Sequence, residues 1–136
     1  MELADSSVWA RKKHPAVGPW FDAAITAGEI AVCDMVALEL LHSASAHSTY
    51  RDMEDSLDAM PWLQMGRPEW LRARDVYRSL SARGHAAHRA VKHADLLIAA
   101  SAELAGVGLV HYDRDYDLIV SVTGQPARWV RPRSSI

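Results

Sequence analysis

The sequence predicts an α/β domain with a central, mainly parallel sheet. Short apolar runs alternate with helix-patterned segments, Gly, Pro and Asp residues punctuate them, and no repeat, low-complexity tract or linker divides the 136 residues. The length suits one domain over residues 1–136, able to bury a core without disulfides. At 49% hydrophobic and 24% charged, the composition is that of a folded chain and not a disordered one.

The first element is a short strand at Glu2 to Asp5, inferred partly from the helical start after it, because Glu2 and Ala4 are poor strand formers. Ser6 to Arg11 starts as helix, and Val17 to Ala27 forms a second helix stopped by Gly28. Ile30 to Cys33 is a buried strand, after which Asp34 can cap a helix containing Met35, Val36, Leu38, Leu40 and Leu41, with Glu39 inside it. Tyr50, Met53, Leu57 and Met60 recur at helical spacing among acids, so Ser48 to Met60 is a solvent-facing helix. Pro61 ends it, and Trp62 to Met65 is a candidate strand. Pro68 opens a helix to about Gly84. Gly84 to Lys92 is polar and expected as loop, whereas Ala94 to Ala105 is apolar nearly all round and must be buried. Gly106 stops that helix; Gly108 to His111 gives a strand, Tyr116 to Val122 a short helix and Ala127 to Val130 a last strand.

Several function classes fall away on bulk grounds. Cys33 is the only cysteine, which excludes an intrachain disulfide, and its apolar run predicts a buried thiol in a reducing, cytoplasmic setting. No stretch approaches the roughly 18 uninterrupted apolar residues of a membrane span, and the N-terminus lacks an export pattern, so no membrane association is expected. The formal net charge of −2 argues against a generally basic coat. Between Arg67 and His93, however, Arg67, Arg72, Arg74, Arg78, Arg83, Arg89 and Lys92 face only Glu69 and Asp75. That segment could meet a polyanion, although a solvated helix face explains the same pattern.

Asp5, Glu39, Asp95 and Asp113 carry the chemical argument. Each sits where an apolar element begins, ends or faces inward, where a carboxylate is costly unless a partner or a cation compensates it. Each also has a bland explanation: Asp95, or Asp113 with Asp115, as helix caps, Asp5 as a turn residue, Glu39 as an arginine partner. The combination weighs more than any member. In a parallel sheet, ligands gather beyond the carboxyl ends of the strands, where Asp5 follows the first strand and Asp113 follows Val110-His111-Tyr112. Converging carboxylates raise one another's pKa unless a cation neutralises them, and an all-oxygen set selects a hard ion such as Mg2+ or Mn2+. With one cysteine and scattered histidines, a zinc site is not supported.

Ala4-Asp5-Ser6-Ser7-Val8-Trp9, Ala37-Leu38-Glu39-Leu40-Leu41, His93-Ala94-Asp95-Leu96-Leu97-Ile98-Ala99-Ala100 and His111-Tyr112-Asp113-Arg114-Asp115-Tyr116-Asp117-Leu118-Ile119 together resemble the PIN-domain family. More narrowly, they resemble VapC, the toxin ribonucleases of VapBC toxin–antitoxin pairs. The resemblance spans Asp5 to the final strand and departs from the family pattern at Ser6, often threonine, and in a less aliphatic first strand. It implies a three-layer α/β/α fold and a Mg2+- or Mn2+-dependent endoribonuclease whose products carry a 5'-phosphate and a 3'-hydroxyl. By the same resemblance, Asp5, Glu39, Asp95 and Asp113 are the catalytic, metal-holding quartet. Asp115 is an auxiliary carboxylate, and Ser7 the small hydroxyl residue lining the pocket; Asp117 has no family role.

The resemblance further implies a VapB antitoxin that covers the crevice with a basic side chain, and a homodimer or toxin–antitoxin hetero-oligomer. Apolar residues around Trp9, Trp20, Phe21 and the Met53 to Met60 helix are candidate interface. Arg83, Arg89 and Lys92 are candidates for tracking an RNA backbone, with Trp62, Trp70 or Tyr77 stacking on a base. Two alternatives stay open: a catalytically silent PIN-like module that binds RNA or protein, and a receiver-like phospho-acceptor domain, which would need a lysine later than Lys92.

Overall fold

A computed structural model describes all 136 residues. Four short strands, β1 (Glu2–Ala4), β2 (Ile30–Ala31), β3 (Gly108–His111) and β4 (Ala127–Trp129), form one sheet in the order β2-β1-β3-β4. Every pairing is parallel, with Leu3 opposite both Ala31 and Leu109, and Val110 opposite Arg128. Parallel neighbours cannot be joined by tight turns, so the connections are helical. They are α1 (Ser6–Trp9) and α2 (Gly18–Thr26), then α3 (Asp34–His42), α4 (His47–Asp58), α5 (Arg67–Ser81) and α6 (His93–Ala105), and lastly α7 (Asp115–Thr123).

Alternation along the strands divides the core into two layers. Leu3 and Leu109 face the larger cluster with Val36, Leu80, Leu97, Ile98 and Ile119, while Ala4 and Val110 face the smaller one with Val8, Val17 and Phe21. The result is the three-layer α/β/α arrangement, with α1 and α2 on one face and α3, α5, α6 and α7 on the other. Residues Asp95 to Ala102 of α6 are all buried, and each large apolar side chain among them contributes roughly 1.5–3 kcal/mol. Gly106 ends α6 with φ +71°, a left-handed turn that a side chain would strain. Gly18 is needed for space, since a Cβ there would lie 2.5 Å from the Lys12 carbonyl oxygen.

The structure revises four expectations. Trp62 to Met65 is not a strand: Val32 N–H donates to Pro61 O and Leu63 N–H to Val32 O, a single parallel bridge. The partner runs out there, because the chain enters α3 at Asp34. Asp34 is the first helical residue and not the cap, a position held by Cys33 without any side-chain bond. The stretch from Gly84 to Lys92 contains a 3₁₀ turn at Ala87–Ala90. Phe21 is fully buried and Trp9 and Trp20 are half-buried, so the large exposed apolar residues are instead Leu38, Trp62, Trp70, Leu71 and Leu104, with Met1. Cys33 is buried as expected, and burial pushes its thiol up to about 11.

Candidate active site

The crevice opens at the carboxyl ends of β1 and β3, the two central strands, on either side of which the chain places β2 and β4. Asp5 follows β1 and is buried; its Oδ2 accepts the Ser7 N–H at 3.0 Å and so starts α1. Asp113 follows β3, and its Oδ1 accepts the Asp115 N–H at 2.9 Å, the first N–H of α7, whose cap position is Arg114. The helix-starting and site readings of Asp5 and Asp113 are therefore compatible: one carboxylate oxygen fixes the backbone and the other is left for the crevice.

Asp95, Asp113 and Asp115 are the tightest group, each offering a carboxylate oxygen within 4.8 Å of the others. Asp95 is 2% exposed on the first turn of α6 and caps nothing. The Lys92 ammonium stands among the three, 2.8 Å from Asp113 Oδ2, 3.1 Å from Asp115 Oδ2 and 3.3 Å from Asp95 Oδ2. The last approach lacks hydrogen-bond alignment, so this buried oxygen of Asp95 has no hydrogen-bond partner.

Tyr116 joins Asp95 to Asp5. Its hydroxyl is fully buried, 2.6 Å from Asp5 Oδ1 and 3.3 Å from Asp95 Oδ1. Burial and the adjacent carboxylates hold the phenol protonated, so it serves as a donor. His111, on β3, packs against Tyr116 and Trp129, and its Nδ1 accepts the Asp113 N–H at 3.2 Å. Burial lowers its pKa and keeps the ring neutral at neutral pH.

Glu39 forms the opposite wall, half-buried, with Oε1 accepting the Ser6 hydroxyl at 3.3 Å. Ser6, Glu39, Trp9, Leu38 and Met53 line an open cavity of about 720 Å³. The Ser7 hydroxyl accepts the Tyr112 N–H at 2.8 Å, tying the start of α1 to the end of β3.

The ionisations record a shared field. Burial first and Asp5 second raise Asp95 to about 7, with Lys92 opposing. Burial and then Asp5 also raise Glu39. Burial acts upward on Asp113 too, but the Lys92 and Asp115 hydrogen bonds outweigh it and the net shift is down. One carboxyl pushed up beside another held down is the pattern of converging acids.

Asp5, Asp95, Asp113 and Asp115 thus meet directly or through Tyr116, and Glu39 faces them across the crevice. Lys92, expected along an RNA path, lies inside the acidic site. Arg83 donates to Ser121 Oγ at 2.9 Å, and Arg89 is exposed without a side-chain partner. Asp117 accepts the Trp129 indole N–H at 3.0 Å, away from the cluster. Sequence reasoning misses Tyr116 and His111, although Tyr116 lies in the first turn of the helix that follows Asp113.

Comparison with known proteins agrees with this geometry. The PIN-domain family model matches residues 3–120. Ribonuclease VapC18 of Mycobacterium tuberculosis is 40% identical over 132 residues, covering 97% of this chain and 96% of the relative. Ribonuclease VapC51 of the same organism is 36% identical over 134 residues, covering 98% and 96%. Among solved structures, a DNA-bound VapBC from Salmonella typhimurium superposes with a TM-score of 0.74 at 15% identity, covering 96% of this chain and all of that one (100%). A toxin–antitoxin complex from Klebsiella pneumoniae does so at 0.72 and 12%, covering 96% and 98%. These likenesses carry the fold, and the sequence relatives carry the membership. A chain whose strand ends bring those acids together, and which matches the family model over most of its length, belongs to the PIN-domain family, in its VapC branch.

Proposed function

We propose that this protein is a divalent-cation-dependent endoribonuclease, the toxin of a toxin–antitoxin pair. The observation that carries the reading is the buried Asp95 oxygen without a hydrogen-bond partner, turned toward Asp113 and Asp115 at the sheet edge. A carboxylate oxygen buried with only a poorly aligned lysine ammonium 3.3 Å away is incompletely compensated, and a hard cation with oxygen ligands would complete it. The donor set fits such an ion: Asp5, Asp95, Asp113 and Asp115 would hold it, and Glu39 would complete the set from the facing wall. When bound, Mg2+ or Mn2+ supplies activation of the attacking water and neutralisation of charge at the scissile phosphate.

The protein's own groups do the rest. Tyr116 keeps Asp5 and Asp95 in register through one hydroxyl, and the Asp113 and Asp115 backbone bonds hold the second pair at the start of α7. Glu39, at the mouth of the cavity with its pKa raised by burial and by Asp5, is placed to exchange a proton with solvent near the phosphate. Family membership overturns the receiver-like alternative. The site also suits inhibition by a VapB antitoxin that presents a basic side chain, since an ammonium already fits among the acids.

Incubation of purified protein with RNA in Mg2+ or in chelator tests this reading. The expected result is fragments in Mg2+ alone, absent with Asp5→Ala protein. Cleavage that survives chelator or the substitution would overturn it, and intact RNA throughout would leave the silent binding module.

A further inference from the structure

Lys92 is absorbed by neither the acid–metal reading nor a surface RNA path. We propose that it is the resident counter-cation of the acidic site, which a divalent ion must displace, so that Lys92 sets the ion concentration at which the site loads. The inference rests on the metal-site reading of the same acids. Its ammonium lies within 3.3 Å of three carboxylates from α6 and from the segment leading into α7, the position a shared cation would take. Two cations cannot occupy that position together without strong repulsion.

The geometry permits displacement. The Lys92 side chain is 60% exposed, against 3% for Asp95 and 12% for Asp115, so it borders solvent into which the ammonium can be displaced. The backbone stays behind, because the Lys92 N–H separately donates to Asp115 Oδ2 at 3.2 Å. The lysine also leaves a deficit. It hydrogen-bonds Asp113 and Asp115 but not the buried Asp95 Oδ2, so it holds the acids together without satisfying the one most in need of a ligand. That is the behaviour of a placeholder, which stabilises the ion-free state and yields to a better-charged competitor.

Mn2+ binding to the full chain, followed by the electron paramagnetic resonance of free Mn2+ at constant pH and salt, tests this. If the lysine occupies the site about nine-tenths of the time, Lys92→Met should tighten Mn2+ binding about tenfold. Lys92→Gln should do the same, guarding against a folding fault in one variant, and Lys92→Arg should bind with wild-type affinity or more weakly. Arg114→Gln removes a nearby exposed charge that forms no ion pair, and should change binding far less. In chelator, Lys92→Met should melt below wild type and recover when Mn2+ is added. Unchanged or weaker binding by both neutral variants overturns the proposal alone, as does equal tightening by Arg114→Gln, which would reduce the effect to long-range charge. If wild-type protein bound no Mn2+ at all, the metal reading would fall and this proposal with it.

Discussion

Asp95, Asp113 and Asp115 form one wall of the crevice, each offering an oxygen within 4.8 Å of the others, with Asp113 and Asp115 held by backbone N–H groups and the three closed by Lys92. Glu39 forms the other, with one serine hydroxyl and an open cavity before it. The first wall stores charge in the fold and compensates it only in part, because Asp95 Oδ2 is left without a hydrogen-bond partner. The second leaves its charge to solvent. Substitutions on the first wall should therefore alter stability and activity together, whereas those on the second should alter activity with little effect on folding.

Asp95→Asn and Glu39→Gln set the two walls against each other. Asp95→Asn should lower RNA cleavage by roughly 10²–10³-fold or more, because it removes a charge needed only for the ion and the reacting phosphate. Ion-free, it should be as stable as wild type or more so. The sign comes from linkage. The folded pKa of Asp95, about 7, lies above its ordinary 3.8, so between those values the native state keeps a proton that the unfolded chain has lost. That stabilising contribution is complete below 3.8 and is lost as pH rises through 7. In chelator, wild-type melting temperature should drop as pH rises from about 4 to about 7, and Asp95→Asn should flatten the drop. Glu39→Gln should cost less activity, about 10–10²-fold, and shift stability by no more than about 0.5 kcal/mol. A large loss of stability in ion-free Asp95→Asn would mean that attraction to Lys92 outweighs burial, reversing the sign expected for the first wall.

The legible parts of the site were those fixed by topology. Asp5 and Asp113 follow strands, and parallel order sends both to one edge whatever the side-chain details. Lys92 and Tyr116 were not legible in their roles, because each depends on how α6 and α7 pack. A lysine three residues before a helical aspartate reads equally well as surface charge. Ser6 and Ser7 show the same limit: adjacent hydroxyls face Glu39 and Tyr112 respectively, a choice made by the α1 turn. The Trp62 to Met65 segment has strand composition but only Val32 to pair with, so partner length overrode local propensity.

Tyr116→Phe probes the joint between Asp5 and the first wall. It preserves the ring packed against His111 but leaves Asp5 and Asp95 without their shared donor. Buried acceptors stripped of a donor cost about 1–3 kcal/mol, which chelator melting should record as a drop of several degrees. Added Mn2+ should recover part of it, since an ion bound to the native state compensates the same carboxylates. No recovery would separate Tyr116 from the ion site and make it a core residue only.

The smallest expected effect lies outside both walls, in the basic segment whose last member turned inward. With Lys92 engaged by the acids, Arg89 is the exposed arginine of that segment nearest the crevice in sequence, and Arg83 is tied to Ser121. If RNA runs along this segment, binding to a single strand in the Asp95→Asn background should show Arg89→Gln reducing the logarithmic salt slope by about 0.7, the share of one phosphate contact. Arg83→Gln should reduce it less, because its guanidinium must first leave a hydroxyl. Equal slopes for all three proteins would assign these arginines to solvation of α5 and its following turn. RNA positioning would then fall to the cavity wall beside Glu39, tying substrate recognition to the wall that the fold leaves uncompensated.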